Sequence, residues 1–316
     1  MTGARGFLGS RMARHLRSQG EEVLATDLPR TERAPSAGAV APALEPLDVR
    51  DRAQVDRVLE SHRPEVIYHF AGLAYVLPSW EDPEGTMTTN LLGTLHLLES
   101  VRHHLPRTRF AFAGSGTEYG DPETIPTPES APLKPTSPYA ASKAAADLLC
   151  YQYFRSFELP VFRYRIFGTT GPGKIGDSVN DFASQIVAAE RSGGRTSVRV
   201  GSLEKSRDVT DVQDAIRAMV RVVERGESGA AYNIGSGVPR RVKETLDRMV
   251  SLARTPVTVE ADPTRVRKVD EPVHLADVGR LRALGWAPEV PFDRTLSDVL
   301  GYWRDRGGST SPDAVA

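Results

Sequence analysis

The chain opens on Thr-Gly-Ala-Arg-Gly-Phe-Leu-Gly, residues 2–9, and this glycine spacing restricts the possible folds more than any other stretch. Gly3, Gly6 and Gly9 suit a backbone that approaches a pyrophosphate closely and then packs a helix against a sheet. The residues that follow predict an amphipathic helix, with Phe7, Leu8, Met12 and Leu16 on its apolar side and Gly20 ending it. A turn of this kind needs a strand immediately before it, yet Met1 stands where that strand should end. The expectation is a natural start upstream of Met1, because a missing central strand would leave two neighbours unpaired.

"EEVLATD" reads as a short strand ending in Asp27, whose carboxylate is placed to accept both hydrogen bonds of an adenosine ribose and so favours NAD. Arg5 and Arg30 could instead pair with a 2'-phosphate, which leaves NAD and NADP both open. "LEPLDV" is a further strand end, with Asp48 placed at the adenine, and "RDRAQVDRVLESHRP" is a helix. "EVIYHFAG" is a buried strand leading to Ala71 and Gly72, small residues that let the nicotinamide side of a cofactor approach the backbone. "TTNLLGTLHLLESVRHH" is helical by period, and its polar member Asn90 reads as a ligand for an irregular main-chain turn or as a capping or core amide. "RFAFAGS" is the next strand and delivers Ser115. Strands alternating with helices predict a parallel sheet wound on both sides, which binds ligands at the carboxyl ends of its strands.

Downstream, "SPYAASKAAAD" places Tyr139 and Lys143 four residues apart on one helix face. The ammonium is expected beside the phenol oxygen, stabilising its ionised form, while Ser115 orients the same substrate oxygen. Such a trio moves a proton on or off a carbinol or carbonyl.

Composition narrows the partners. The net charge of -1 gives no reason to expect nucleic acid or an anionic membrane surface. Cys150 is the single cysteine, so neither an intrachain disulfide nor a cysteine-based metal cluster is expected. No long apolar run or signal peptide is evident, and a reducing cytoplasm is the expected compartment. With 316 residues, 40% of them hydrophobic, the chain suffices for a large domain and a smaller one. After the strand "LPVFRYRIFG" and the loop "TTGPGK" the elements shorten: "SVRVG", "VQDAIRAMVRVVERG", "AAYNIGSG", "VKETLDRMVSLA". The expected division is 1–165 for the dinucleotide, 166–306 as an interleaved lid carrying substrate specificity, and 307–316 as a disordered tail. Arg207, Arg265 and Arg267 stand out in the lid, since guanidinium groups suit a diphosphate, although surface ion pairs are an equal reading of each.

"TGARGFLG", "GSGTEYG", "SPYAASK", "TGPGK", "VGSLEKSRDVTDV", "YNIGSG" and "LGWAPEVPFDRTLSDVLGYWR" together resemble the extended short-chain dehydrogenase/reductases that act on nucleotide-diphosphate sugars. "VGSLEKSRDVTDV" and "DPTRVRKVDEPV" look most like the branch of GDP-mannose 4,6-dehydratases and GDP-4-keto-6-deoxy-mannose reductases. The resemblance implies a Rossmann-type doubly wound parallel sheet with a smaller interleaved α/β substrate-binding domain, a tightly held NAD or NADP, and a homodimer formed through the helices of Asn90 and Tyr139. It implies Ser115, Tyr139 and Lys143 as the catalytic trio. At the cofactor it implies Gly3, Gly6, Phe7, Leu8, Asp27 and Asp48, then Val49, Ala71, Gly72 and Asn90 beside Tyr139 and Lys143. At the nucleotide sugar it implies Ser79, Ser115, Thr117, Asn180, Arg207 and Arg267.

The departures from the family pattern discriminate among activities. Thr117 stands where the dehydratases carry a glutamate base, and a hydroxyl cannot act as that base at neutral pH. Glu118, one residue on, would face the other way in an extended segment. Dehydration is therefore disfavoured, and the retention of both Tyr139 and Lys143 disfavours a non-catalytic NAD(P)-binding protein. Gly168 replaces a sugar-contacting asparagine, and Lys268 replaces a proline. The expected activity is NAD(P)H-dependent reduction of a nucleotide-diphosphate 4-keto-6-deoxy-sugar, GDP-linked, with an NAD-dependent 4-epimerase as the alternative.

Overall fold

A computed structural model describes residues 1–28, 44–193, 197–265 and 272–306. Arg30, Arg267, Lys268 and the tail 307–316 lie outside the described residues.

The first half runs α1 (Phe7–Ser18), β1 (Thr26–Asp27), β2 (Glu45–Pro46), α2 (Arg52–His62), β3 (Val66–His69), α3 (Val76–Glu81), α4 (Pro83–Met87), α5 (Gly93–His104), β4 (Arg109–Ser115), α6 (Pro138–Phe157) and β5 (Val161–Ile166). Local chemistry sets the boundaries. Asp51 caps α2 by accepting from the Gln54 N–H, and Arg63 ends it at φ 44°. Ser137 caps α6 by accepting from the Ala140 N–H, with Pro138 in the first turn and Glu158 ending it at φ 57°. The predicted helix through Asn90 differs from the periodic reading: a π-turn at Thr88–Leu92 separates α4 from α5.

The second half adds β6 (Thr169–Thr170), α7 (Ser178–Arg191), β7 (Val198–Val200), β8 (Ser206–Asp208), β9 (Thr210–Asp211), α8 (Val212–Arg225), β10 (Ala231–Ile234), β11 (Pro239–Arg241), α9 (Val242–Ser251), β12 (Val259–Ala261), β13 (Val273–His274), α10 (Gly279–Ala283) and α11 (Phe292–Asp305).

The main sheet is parallel. β3, β4, β5 and β10 pair in that order, β1 pairs with β2, and Thr2 bridges in parallel to both Thr26 and His69. Met1 and Thr2 thus occupy the central position: the Thr2 N–H donates to the Tyr68 carbonyl at 3.1 Å and the Thr26 N–H to the Met1 carbonyl at 2.8 Å. The strand predicted over 21–27 forms its ladder only at Thr26–Asp27.

Alternation along the strands feeds two cores. Ala111, Phe162 and Tyr164 pack with Met12 of α1 and with Ile216 and Met219 of α8, whereas Phe110, Phe112 and Val161 pack with α2, α5 and α6. A third core joins α7, α9 and α11 over β7. The second half is not a separate block, since β10 extends the main sheet beside β5 and α8 covers that sheet.

Candidate active site

Ser115 is the last residue of β4, and a 3-10 turn at Gly116–Tyr119 follows it. The Ser115 and Thr117 hydroxyls share a hydrogen bond of 2.9 Å, and the Thr117 N–H donates to Ser115 Oγ at 3.3 Å. Tyr139 enters from the first turn of α6. Its N–H donates to Ser79 Oγ at 3.1 Å, and Ser79 in turn donates to the Val76 carbonyl at 2.6 Å. Lys143, one turn further along, donates from Nζ to the Ala113 carbonyl at 2.9 Å. The structure therefore brings the predicted trio to the end of one strand.

The expected charge state needs correction. Burial pushes the Tyr139 phenol up to about 12, opposed by its hydrogen bond with Ser115. Burial likewise drives the Lys143 ammonium down to about 8. The physical reason is that Lys143 is turned to the Ala113 carbonyl and is itself desolvated, so burial outweighs any stabilisation of an ionised phenol. Tyr139 is a protonated donor at neutral pH.

Glu118 also departs from the extended reading. In the turn it curls back beneath the strand, fully buried, and accepts from the Ser115 N–H at 2.6 Å. Its second oxygen has no hydrogen-bond partner, and the Arg165 Nε lies 3.6 Å away. Gly114 leaves it room, since a Cβ there would stand 2.4 Å from Glu118 Oε1. The signal was present in the sequence: Ser-Gly-Thr-Glu at 115–118 is a capping-box pattern, and the box is formed.

The glycine turn folds tightly on itself. Gly3 takes φ 68°, and a Cβ on Gly9 would lie 2.1 Å from the Gly3 carbonyl oxygen. Helix α1 has Gly6 at its N-cap, no capping side chain and no acid in its first turn, so the N–H groups around Phe7 and Leu8 suit an anion. The Asp27 carboxylate accepts from the Arg5 N–H at 2.7 Å and the Leu28 N–H at 2.8 Å, and the Arg5 guanidinium donates to the Leu28 carbonyl beside it. Asp48 is paired with Arg50 at 2.7 Å, whose hydrogen bonds hold it below the usual carboxylate range, and Val49 next to it is buried. Asn90 reads the main chain of Leu73 at both its N–H and carbonyl, at 2.8 and 3.0 Å, and donates to Ser142 Oγ at 2.9 Å. After Ala71, a Cβ on Gly72 would lie 2.7 Å from Asn90 Oδ1 and 3.4 Å from Lys143 Nζ. These glycines, open helix N–H groups and strand-end carboxylates fit a dinucleotide.

Residues expected at the sugar nucleotide are more scattered. Asn180 is buried on α7, donating to the Gly171 carbonyl at 3.0 Å and accepting from Trp303 Nε1 at 3.1 Å. Arg207 lies on β8, opposite His274 of β13. Arg265 is ion-paired with Asp181 at 2.8 Å. A Cβ on Gly168 would lie 2.2 Å from the Asp208 carbonyl oxygen, so the asparagine that the resemblance puts at this position has no room here. Nothing in the sequence singled out His274, which stacks on Phe167 at 4.5 Å and sits against Gly116 beside Ser115. Among the described residues no helix is long and apolar enough to cross a membrane.

A family model described as GDP-mannose 4,6-dehydratase matches residues 1–299. The GDP-6-deoxy-D-mannose reductase of Pseudomonas aeruginosa is 32% identical over 247 residues, covering 77% of this chain and 81% of its own. A structure of RMD from Pseudomonas aeruginosa complexed with NADPH superposes with a TM-score of 0.83 at 28% identity, covering 96% of this chain and 97% of the other. The UDP-glucose 4-epimerase of Thermus thermophilus in complex with NAD gives the same TM-score of 0.83, identity of 28% and coverage of 96% and 97%.

Proposed function

The chain belongs to the GDP-mannose 4,6-dehydratase family, extended short-chain dehydrogenase/reductases that act on nucleotide sugars with NAD(P), and from that premise we propose that it reduces a GDP-linked 4-keto-6-deoxy-sugar with NAD(P)H. When bound, the reduced cofactor supplies the hydride to the ketone carbon. Tyr139 donates the proton to the ketone oxygen, so carbonyl becomes carbinol. Ser115 hydrogen-bonds the developing oxyanion, and Lys143 steadies the tyrosinate left behind. The observation that carries this reading is the Ser115–Thr117 hydroxyl pair at 2.9 Å, a hydroxyl rather than a carboxylate two residues after Ser115, beside a Tyr139 phenol whose pKa burial raises. A reduction needs a proton donor at this point and no carbon-directed base.

Within this reading, residues 1–165 hold the cofactor and 166–306 mainly bind the nucleotide sugar, with Arg207 and Arg267 at the diphosphate and the loop around Ser79 and Thr117 at the sugar. The exposed Leu148 and Tyr151 on α6, with Leu92 at the start of α5, favour a homodimer through these helices. The cytoplasm supplies both cofactor and substrate.

The second reading is a 4-epimerase. The equal similarity to an NAD-containing UDP-glucose 4-epimerase favours it, since the same trio can oxidise the carbinol and return hydride to the other face. Nicotinamide consumption decides between the two. With GDP-4-keto-6-deoxy-mannose, stoichiometric loss of NADH or NADPH is expected, reduced by about 10²–10⁴-fold in Tyr139→Phe. Interconversion of a GDP- or UDP-hexose with no net loss of nicotinamide overturns the reductase reading.

A further inference from the structure

We propose that Ser79 is a positioning residue for Tyr139: its buried hydroxyl caps the first turn of α6 from a separate helix and fixes the main chain from which the phenol projects. The proposal rests on the reading of Tyr139 as the proton donor.

A helix leaves the N–H groups of its first turn without partners among its own carbonyls, and they must be satisfied from outside. In α6 they are satisfied one by one. Pro138 has no N–H to place, Ser137 Oγ accepts from the Ala140 N–H at 3.2 Å, and the Ser137 carbonyl accepts from the Ala141 N–H at 2.8 Å. The Tyr139 N–H is left over, and Ser79 Oγ of α3 accepts it at 3.1 Å. The Ser79 hydroxyl proton is committed to the Val76 carbonyl at 2.6 Å, which turns an acceptor lone pair toward α6.

The Tyr139 carbonyl is held as well. Ser142 Oγ donates to it at 2.7 Å and accepts from Asn90 Nδ2 at 2.9 Å, and the same amide nitrogen donates to the Leu73 carbonyl at 3.0 Å. Both polar groups of the Tyr139 main chain therefore lead, through one serine each, to the single segment 73–79. Ser142 is 0% and Ser79 1% exposed, so water does not compete for either hydroxyl. With its proton committed and almost no surface open, Ser79 has little to offer a sugar directly. Its effect runs through Tyr139, because the phenol at the end of a side chain amplifies any tilt of the turn that carries it. A misplacement of about 1 Å at the reacting atoms can cost about 10²-fold in rate.

Ser79→Ala removes the acceptor and leaves the capping by Ser137 in place. The chain has nine tyrosines, so protein labelled with a nitrogen isotope at tyrosine gives a sparse amide spectrum by NMR, Tyr139 being assigned by its loss in Tyr139→Phe. No substrate is needed. Exchange of the Tyr139 amide with deuterated water is expected to quicken about fivefold or more in Ser79→Ala, well beyond any change at Tyr151 and Tyr153 further along the same helix. An unmoved Tyr139 amide overturns the proposal, and so does equal acceleration at all three, the mark of a merely weakened helix. With GDP-4-keto-6-deoxy-mannose and reduced nicotinamide, kcat is expected to fall by about 10–100-fold while KM stays within about twofold. A fall in kcat no larger than the rise in KM overturns the proposal, since it leaves Ser79 a binding residue at most. If Ser79→Ala does not fold, Ser79→Cys decides by the same two measurements, because a thiol fills the site but accepts only weakly. Should no ketosugar be reduced, the amide exchange still reads the clamp, kcat and KM are read on the hexose interconversion, and only the assignment of the reaction falls.

Discussion

Replacing Asp147 by Asn removes the anion at the centre of the most buried charge cluster in the described chain. The Asp147 side chain is 0% exposed, and those of its partners Arg163 and Arg165 are 9% and 6% exposed. Alternation along β5 turns both arginines toward α6 instead of water, which is why an apolar strand can carry them. In Asp147→Asn, Arg163 keeps the Gly229 carbonyl at 2.8 Å, and Arg165 keeps the Tyr119 hydroxyl at 3.0 Å and the Glu129 carbonyl at 2.9 Å. Most hydrogen bonds therefore survive, and the loss is that of the compensating charge. Breaking a buried pair from one side costs about 3–5 kcal/mol, a large share of the roughly 5–15 kcal/mol that stabilises a folded chain. Asp298→Asn is the control of the same chemistry, since Arg294 and Asp298 are 69% and 43% exposed and such a pair contributes at most about 1 kcal/mol. Urea unfolding followed by circular dichroism, with the slope held common, should show the first variant falling well below the second. If Asp147→Asn costs less than about 1 kcal/mol, the reasoning from burial is refuted.

Two further outcomes follow from single sites. His69 is buried between the Thr2 and Thr94 hydroxyls, at 2.8 and 3.0 Å, and burial drives it down to about 3. Below its ordinary value of 6.5 the unfolded chain binds a proton that the folded one refuses. This contribution is therefore complete above that pH and is lost toward about 3, at about 1.4 kcal/mol per unit. The urea midpoint should fall between pH 7 and 5, by a smaller step in His69→Gln. Gly168→Asn places a Cβ 2.2 Å from the Asp208 carbonyl oxygen. It should destabilise the fold by about 1–3 kcal/mol, read as a lowered Tm, without gaining sugar affinity.

Sequence patterns located the ends of elements better than the contacts made there. Tyr139 and Lys143 were legible because a four-residue interval on a helix fixes their shared face, and Ser115 because an apolar run must end somewhere. Their charge states were not, since burial of both groups depends on how β4, α6 and the Ala71–Leu73 segment close together. The Asn90 amide was half legible. A main-chain turn was one of its two readings, with Leu73 not singled out, and the π-turn that aims it was not foreseen: Gly93 directly follows the turn, but a lone glycine inside a periodic apolar run does not by itself mark a break, and the Thr94 hydroxyl donates to the Asn90 carbonyl within it. Ser79 was expected at the sugar, yet its hydroxyl serves the Tyr139 N–H and the Val76 carbonyl. Arg163 and Arg165 show the limit of alternation. It told that they share a face, but the burial of that face comes from Asp147, which lies 16 and 18 residues away in the chain.

The choice among the family's chemistries turns on very few atoms around Ser115. A dehydratase needs a base that can reach carbon, and the position two residues after the catalytic hydroxyl is where the resemblance puts it. Here that position is Thr117, whose hydroxyl is hydrogen-bonded to Ser115. The neighbouring carboxyl offers no substitute. Glu118 lies under β4, fixed to the Ser115 N–H and set against Gly114, and to reach a substrate it would have to unwind the turn that holds Ser115 in place. A protonated phenol with no base beside it can give a proton to oxygen but cannot take one from carbon. The same turn that removes Glu118 from the substrate side of β4 fixes it to the Ser115 N–H, so the carboxyl that could have served as a base instead holds the main chain that presents the Ser115 hydroxyl.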